Sequence, residues 1–273
     1  MCGICNVTNS SENLLDIFSD EEYDSILSGI FYGLITKGNL NYNYYFKTAE
    51  KLTDGIYFGF GETLQSSAIN SKNYNMLKAL RENVYVFSGA KNYQMTRDIS
   101  LKLRDMLIEN DNIVTLDEFK DKSLSVLKNY SENYLTTEYN AAIGQAQSAS
   151  KWIQYEDEKD LYPLLKYQTI GDGRVRPTHA DLDGIVRPVD DKFWDLYAPL
   201  NGWNCRCLLV QTGYDEDSKT PLSMIKKPND VPEIFQFNVG KEKVVFSKKH
   251  PYFEVPKDDK QLALNNFNLP KVK

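Results

Sequence analysis

At 273 residues, with 41% hydrophobic and 26% charged side chains, the chain has enough apolar material for one or two domains with real cores. A net charge of −6 argues against a protein that coats nucleic acid by bulk electrostatics. No apolar run approaches the roughly 18 residues that span a bilayer.

The opening, MCGICNVTNSSENLLD, has neither the basic nor the apolar segment of a secretory signal. Folding in a reducing cytoplasm is expected, where cysteines serve as free thiols or metal ligands rather than disulfides. Tyrosine is abundant at 18. Its apolar ring and hydroxyl suit interfaces as well as cores, which hints at an assembly protein.

All ten prolines lie from Pro163 onward. Proline breaks helix interiors, so the proline-free first part reads as helical wherever a 3.6 period is present. Tyr23, Ile26, Leu27, Ile30, Phe31 and Leu34 share one face behind an acidic first turn, Asp20-Glu21-Glu22, and Gly38 is the expected stop. Tyr45, Phe46, Ala49, Leu52, Ile56 and Phe60 repeat the pattern. Met76 to Val84 begins a further helix, and Met95 to Leu107 another. The stretch from Thr115 predicts one or two long helices, with Thr115 and Glu118 spaced as a capping box. Gly144 and its small neighbours allow close approach, either to a neighbouring helix of the same chain or to a partner.

After Tyr162 the pattern changes. LLKYQTIG, GIVRPV and RCLLVQTG are short β-prone runs bounded by Gly, Pro and Asp. Pro177 opens a single helical turn, RPTHADLDG, and FQFNVGKEKVVFS predicts two strands around a turn at Val239-Gly240. The expected fold class is α+β. Its divisions are a flexible N-terminus at 1–15, a helical domain at 16–160, a loop-rich module with short antiparallel strands at 161–256, and a polar, extended tail at 257–273.

Chemistry concentrates in the module. Cys205 and Cys207 are two apart, which on a strand points both sulfurs to one face, while His179 and Asp183 share a face if their segment is helical. Two thiolates, an imidazole and one further ligand make a closed tetrahedral zinc site, which can replace missing core in a small module. Asp183, His250, or Cys2 or Cys5 of the N-terminal C-x-x-C are the candidates for that further ligand. The alternative is a structural histidine beside two buried thiols.

Asp172, Asp181, Asp183, Asp190 and Asp191 crowd the same region and, with His179, have the makings of a metal-dependent nuclease. They are equally the residues of turns, and no phosphate loop, G-x-S-x-G or H-E-x-x-H motif occurs. Two basic clusters, Arg174/Arg176/Arg187 and Lys241/Lys243/Lys248/Lys249, keep nucleic-acid binding open as a reading beside solvated surface charge.

The run RVRPTHADLDGIVRPVDDKFWDLYAPLNGWNCRC resembles the signature of the Mu F-like minor head proteins of tailed bacteriophages. Arg176, His179, Leu182, Gly184, Val189, Asp190, Asp191, Phe193, Trp194, Pro199, Gly202, Trp203, Asn204, Cys205, Arg206 and Cys207 carry the likeness, which extends over roughly residues 75 to 245. Lys192, Ala198 and Val239 depart from the pattern without removing a candidate ligand. The resemblance implies a structural, non-enzymatic role in head morphogenesis. It implies a place in the virion or procapsid near the portal vertex, portal or capsid proteins as partners, and packaged DNA to retain or accompany. It implies neither a membrane nor a small-molecule substrate. Within the signature, Trp194 and Trp203 are expected to bury large area and Asn204 to satisfy backbone groups of the turn. Arg206 is expected to point away from the thiols toward a carboxylate or a partner.

Overall fold

The structure is a computed structural model that describes residues 15–109, 113–213, 218–225 and 231–272. It is an α+β fold. In chain order it has helices α1 (Asp20–Phe31), α2 (Tyr42–Phe60), α3 (Lys72–Glu109), α4 (Leu116–Lys128) and α5 (Leu135–Glu158). There follow β1 (Leu164–Gln168), the single turn α6 (Pro177–Ala180), β2 (Val186–Pro188), α7 (Trp194–Tyr197), β3 (Leu208–Thr212), α8 (Val239–Glu242) and α9 (Lys260–Leu264). No described helix is long and apolar enough to cross a membrane.

Two compact units form, and each takes segments from both sides of residue 160. Of the described residues, one contains those within 54–80 and 140–249; the other contains those within 15–53, 81–139 and 250–272.

In the second of these, α1 and α4 both begin on complete capping boxes. Ser19 pairs reciprocally with Glu22, and Thr115 with Glu118, so two otherwise orphaned backbone N–H groups are satisfied at each start. Helix α1 ends at Phe31, earlier than Gly38. Gly33 takes a left-handed φ of 70°, and the amides of Leu34 and Ile35 fold back onto the Gly29 carbonyl. Leu34 therefore lies outside the helix and is exposed. The core gathers Tyr23, Ile26, Leu27 and Ile30 of α1 with Tyr44, Met95, Ile99, Phe119 and Tyr130. Predicted as two helices, α3 is continuous, and a six-residue π-helical segment, Asn129–Tyr134, joins α4 to α5.

The same unit buries an ion pair. Lys91 of α3 and Glu138 of α5 are 0% and 3% exposed and bonded to each other. Burial pulls the Lys91 ammonium down and the Glu138 carboxyl up in pKa, and each charge opposes the other's shift. His250 caps the short turn Pro251–Phe253, accepting from the Tyr252 amide, and its ring meets Phe87 edge-on. Burial, with Lys91 nearby, lowers its pKa to about 4, so it is neutral at pH 7.

The expected extended tail is instead folded. Residues from Lys257 form two short 3-10 turns and α9, and Phe267 and Leu269 are buried. The Phe267 ring stacks on Tyr93 at 4.8 Å, and Asp259 accepts from the Tyr93 hydroxyl at 2.5 Å. Two apolar side chains with burial available outweigh the polar composition of the tail.

In the other unit, β1 is the centre of a three-stranded antiparallel sheet of order β2-β1-β3, with Leu165 opposite Arg187 on one side and Gln211 on the other. The expected hairpin at 235–247 is absent, and α8 occupies its middle. Asn238 caps α8, accepting from the Gly240 and Lys241 amides, and Lys243 ends it in a left-handed conformation. Phe235, Phe237 and Val239 alternate as one face of a strand would and are all buried, but the Asn238 cap turns the backbone into α8.

Small residues govern helix contact here. An added Cβ on Gly59 would sit 2.1 Å from the Ile143 carbonyl oxygen of α5, and one on Gly144 would sit 2.8 Å from Leu200. The close approach expected from Gly144 is thus made within the chain. Because the obstacle at Gly59 is backbone and cannot rotate away, Gly59→Ala is expected to cost about 1–3 kcal/mol in urea unfolding. An unchanged midpoint would show that α2 can shift.

Candidate metal centre

The sheet-containing unit places its chemistry on turns around β1. Arg176 is extended, Pro177 starts α6 at its first position, and this single turn delivers His179 inward. Its Arg176 guanidinium donates to the Trp203 carbonyl at 2.7 Å, which ties α6 to the turn that precedes the cysteines. That turn needs unusual backbone. Asn204 adopts φ 56°, and the Cys205 amide donates to the Gly202 carbonyl. An added Cβ at Gly202 would meet the Arg176 guanidinium at 3.3 Å.

Cys205 and Cys207 lie just before β3, in a segment that is not itself strand, yet both sulfurs turn to the same side. Each Sγ is 3.6 Å from His179 Nδ1, and all three residues are buried. Their ligating atoms lie within 4.8 Å of one another. Two sulfurs and a nitrogen on a tetrahedral zinc, at ordinary bond lengths, stand roughly 3.6 Å apart from sulfur to nitrogen. The donor set, two thiolates and an imidazole, is that of a soft tetrahedral centre. The three residues therefore fit a metal ion.

The thiols are electrically unequal. A hydrogen bond from Cys207 and the adjoining His179 hold Cys205 well below the usual thiol range, while the Cys205 thiolate and burial push Cys207 up. Beneath them Tyr167 of β1, wholly buried, donates to Asn201 Oδ1 at 2.9 Å, and Asn201 donates in turn to the Ala198 carbonyl. Two short bonds thus fix the floor of the site to the sheet.

The other expected site residues fall elsewhere. Asp183 is not in the cluster: its Oδ1 accepts from the amide and hydroxyl of Thr169 at 2.7 and 3.0 Å. His250 belongs to the other unit, where it caps a turn. Cys2 and Cys5 lie outside the described residues. Among the described residues no carboxylate joins the triad.

The acidic residues are dispersed into separate contacts. Asp190 pairs with Lys159 at 3.0 Å. Asp191 accepts from the Arg187 guanidinium and, at 2.7 Å, from the Phe193 amide. Asp172 receives two Arg206 guanidinium nitrogens at 2.6 and 2.7 Å. The basic residues are engaged too: Arg176 on Trp203, Arg187 on Asp191, and Arg174 on Asp172 at 3.7 Å. Of the two tryptophans in the Arg174–Cys207 run, Trp194 is fully buried and donates to the Pro188 carbonyl, whereas Trp203 is half-buried, edge-on to Phe235. Asn204 contributes its backbone conformation; no hydrogen bond of its side chain is seen among the described residues. Gly184 is left-handed at φ 78°, and its amide donates to the Tyr167 carbonyl, joining the α6 turn to β1.

The Arg206 pair holds the Asp172 carboxyl down to about 2. Such a group contributes above its unfolded pKa and loses its contribution as pH falls through the folded value. Carbon-detected NMR titration is expected to show Asp172 still ionised at pH 3 and Arg206→Gln to return it to the ordinary range. A wild-type midpoint near 3.8 would mean that the pair is not formed.

Residues 78–210 match the family model described as Phage Mu protein F like protein. The putative capsid assembly protein F of Escherichia phage Mu is 31% identical over 171 residues, which cover 62% of this chain and 36% of that protein. The Mu-like prophage FluMu F protein of Haemophilus influenzae is 34% identical over 62 residues, 23% of this chain and 15% of that protein. The matched part of the chain thus spans about a third of the length of the first relative. No solved structure matches.

Proposed function

We propose that this chain, Mu F-like over residues 78–210, is a structural component of a tailed-phage head that acts in head assembly as a minor protein at or near the portal vertex. The observation that carries the reading is the coincidence of the family match with the built site: the matched segment contains α6, Gly184, Trp203 and the three converging ligands. One relative is named for capsid assembly. The chemistry is consistent with scaffolding rather than turnover, since the acidic residues are spent on ion pairs and turns instead of being gathered around an exposed cleft. Retention of packaged DNA, or departure with it, belongs to the same proposal.

In this reading the triad takes a structural zinc ion. His179, Cys205 and Cys207 would hold it, and its contribution would be to fasten α6 to the segment entering β3, replacing core that a three-stranded sheet does not supply. The chain's own residues do the rest: Arg176, Tyr167 and Asn201 orient the ligands.

Deleting the coding sequence from the phage or prophage genome that encodes the chain tests the role. The expected result is a sharp fall in DNA-filled heads seen by electron microscopy, restored by the gene in trans. Normal yields of filled, infectious heads without the chain would overturn it. Purified protein is expected not to nick plasmid DNA with Mg²⁺ or Mn²⁺; nicking abolished by His179→Ala would favour a nuclease instead.

A further inference from the structure

The segment after Pro256 is fastened to α2, α3 and the turn before α2 at its two ends, and more loosely between them. At the near end Asp259, which is buried, accepts from the Lys37 ammonium at 2.7 Å and from the Tyr93 hydroxyl at 2.5 Å. Lys37 and Tyr93 together hold its carboxyl below the usual carboxylate range. At the far end Asn266, Phe267 and Leu269 are buried. There the Pro270 carbonyl accepts from the Tyr45 hydroxyl at 2.5 Å, and Asn268 donates to the Gly38 carbonyl at 3.2 Å. Helix α9 joins the two ends without burying a residue, and its Leu264 is 74% exposed.

The far end has a built seat. Gly89 lies in the middle of the 38-residue α3, where glycine weakens a helix relative to alanine. An added Cβ there would meet Asn266 Oδ1 at 3.2 Å, Leu269 at 3.5 Å and Phe267 at 3.7 Å. The missing side chain leaves the room that these three residues fill. They fill it with costly backbone, because Asn266, Phe267 and Asn268 are successive left-handed residues at φ 51°, 55° and 62°. Asparagine tolerates this conformation singly and phenylalanine poorly, so a run of three persists only where surrounding contacts impose it. Leaving the seat lets the run relax, which brings the closed and open forms closer in free energy than the buried contacts alone would.

We propose that residues 257–270 are a releasable strap, which opens as one unit while α1 to α4 stay folded. Opening uncovers the face of Tyr93, the trough at Gly89 and the Tyr45 hydroxyl. The inference is independent of the head-assembly reading.

Hydrogen exchange of the full-length protein, followed amide by amide by NMR, tests it. Asn265, Asn268 and Leu269 are the reporters, since their amides donate to the Gln261, Asn265 and Asn266 carbonyls within the strap. Ile99, in the core of the same unit, reports global opening. The three strap amides are expected to share one protection factor, roughly a hundredfold or more below that of Ile99. Asp259→Asn removes the ion pair with Lys37. It should lower protection at Asn265 and at Leu269 by the same factor, about tenfold for a lost bond to a charged group, with Ile99 unmoved. Gly89→Leu favours the helix but overfills the seat, so it should strip protection from the strap and again spare Ile99. The proposal is overturned if the strap amides exchange only as fast as Ile99, or if Asp259→Asn loosens Asn265 without Leu269 or leaves both unchanged. A Gly89→Leu protein whose strap stays protected would overturn it as well.

Discussion

Glu138→Ala is expected to destabilise the protein by about 3–5 kcal/mol, measured as a shift of the urea midpoint for the unit that contains α3 and α4. The reason is the position of Lys91, which is wholly buried and loses its only counter-charge among the described residues in this substitution. Removing one partner of a buried pair leaves an uncompensated ion in a low dielectric, whereas removing both costs far less. The double replacement Lys91→Met with Glu138→Leu is therefore expected to recover most of the loss. The pKa directions fit this account. Burial pulls Lys91 and Glu138 toward their neutral forms; their mutual attraction opposes it, and at Glu138 so does a hydrogen bond from Tyr252. Equal losses in the single and double variants would show that side-chain volume, not charge, stabilises this part of the core.

The second large effect belongs to the metal centre. Chelation is expected to cost on the order of 3 kcal/mol or more, because a structural ion contributes its binding free energy to folding. For a protein of this size that lowers Tm by roughly 6–12 °C. Cys207→Ser should lower Tm by a similar amount, and chelator should then have no further effect. The non-additivity is the diagnostic. A serine hydroxyl replaces a sulfur that is 3.6 Å from His179 Nδ1, so the variant and the chelator remove the same thing. If chelator still destabilised Cys207→Ser by the full amount, the ion would sit elsewhere. If chelator left the wild type unchanged, the cysteines and histidine would be core residues only.

How much of this was legible in the sequence depended on whether the signal was local. The capping box at Thr115, the acidic start of α1 and the three short strands follow from neighbouring residues and came through. So did the convergence of His179 with Cys205 and Cys207, although the cysteines reach one side from irregular backbone rather than from a strand. Asp183 shares the α6 region with His179 but is drawn to Thr169, the residue that follows the end of β1, a contact that spacing does not reveal.

The hairpin expected near Val239 failed because apolar alternation was read without the cap. Asn238 beside Gly240 was the available signal for a helix start. Lys91 and Glu138 look like surface charges in sequence, 47 positions apart, and only packing makes them a pair. The folded tail likewise rests on two side chains, Phe267 and Leu269, too few to set a period.

The claim on which the functional account turns is that the chain is a built-in part of an assembling head. Quantitative mass spectrometry of procapsids, mature particles and emptied particles from cells producing the phage tests it directly. The account expects a small, fixed number of copies in procapsids, cross-linked to the portal protein, and the same number or fewer once DNA has left. Procapsids that assemble and fill normally with no copy of the chain in them would contradict it.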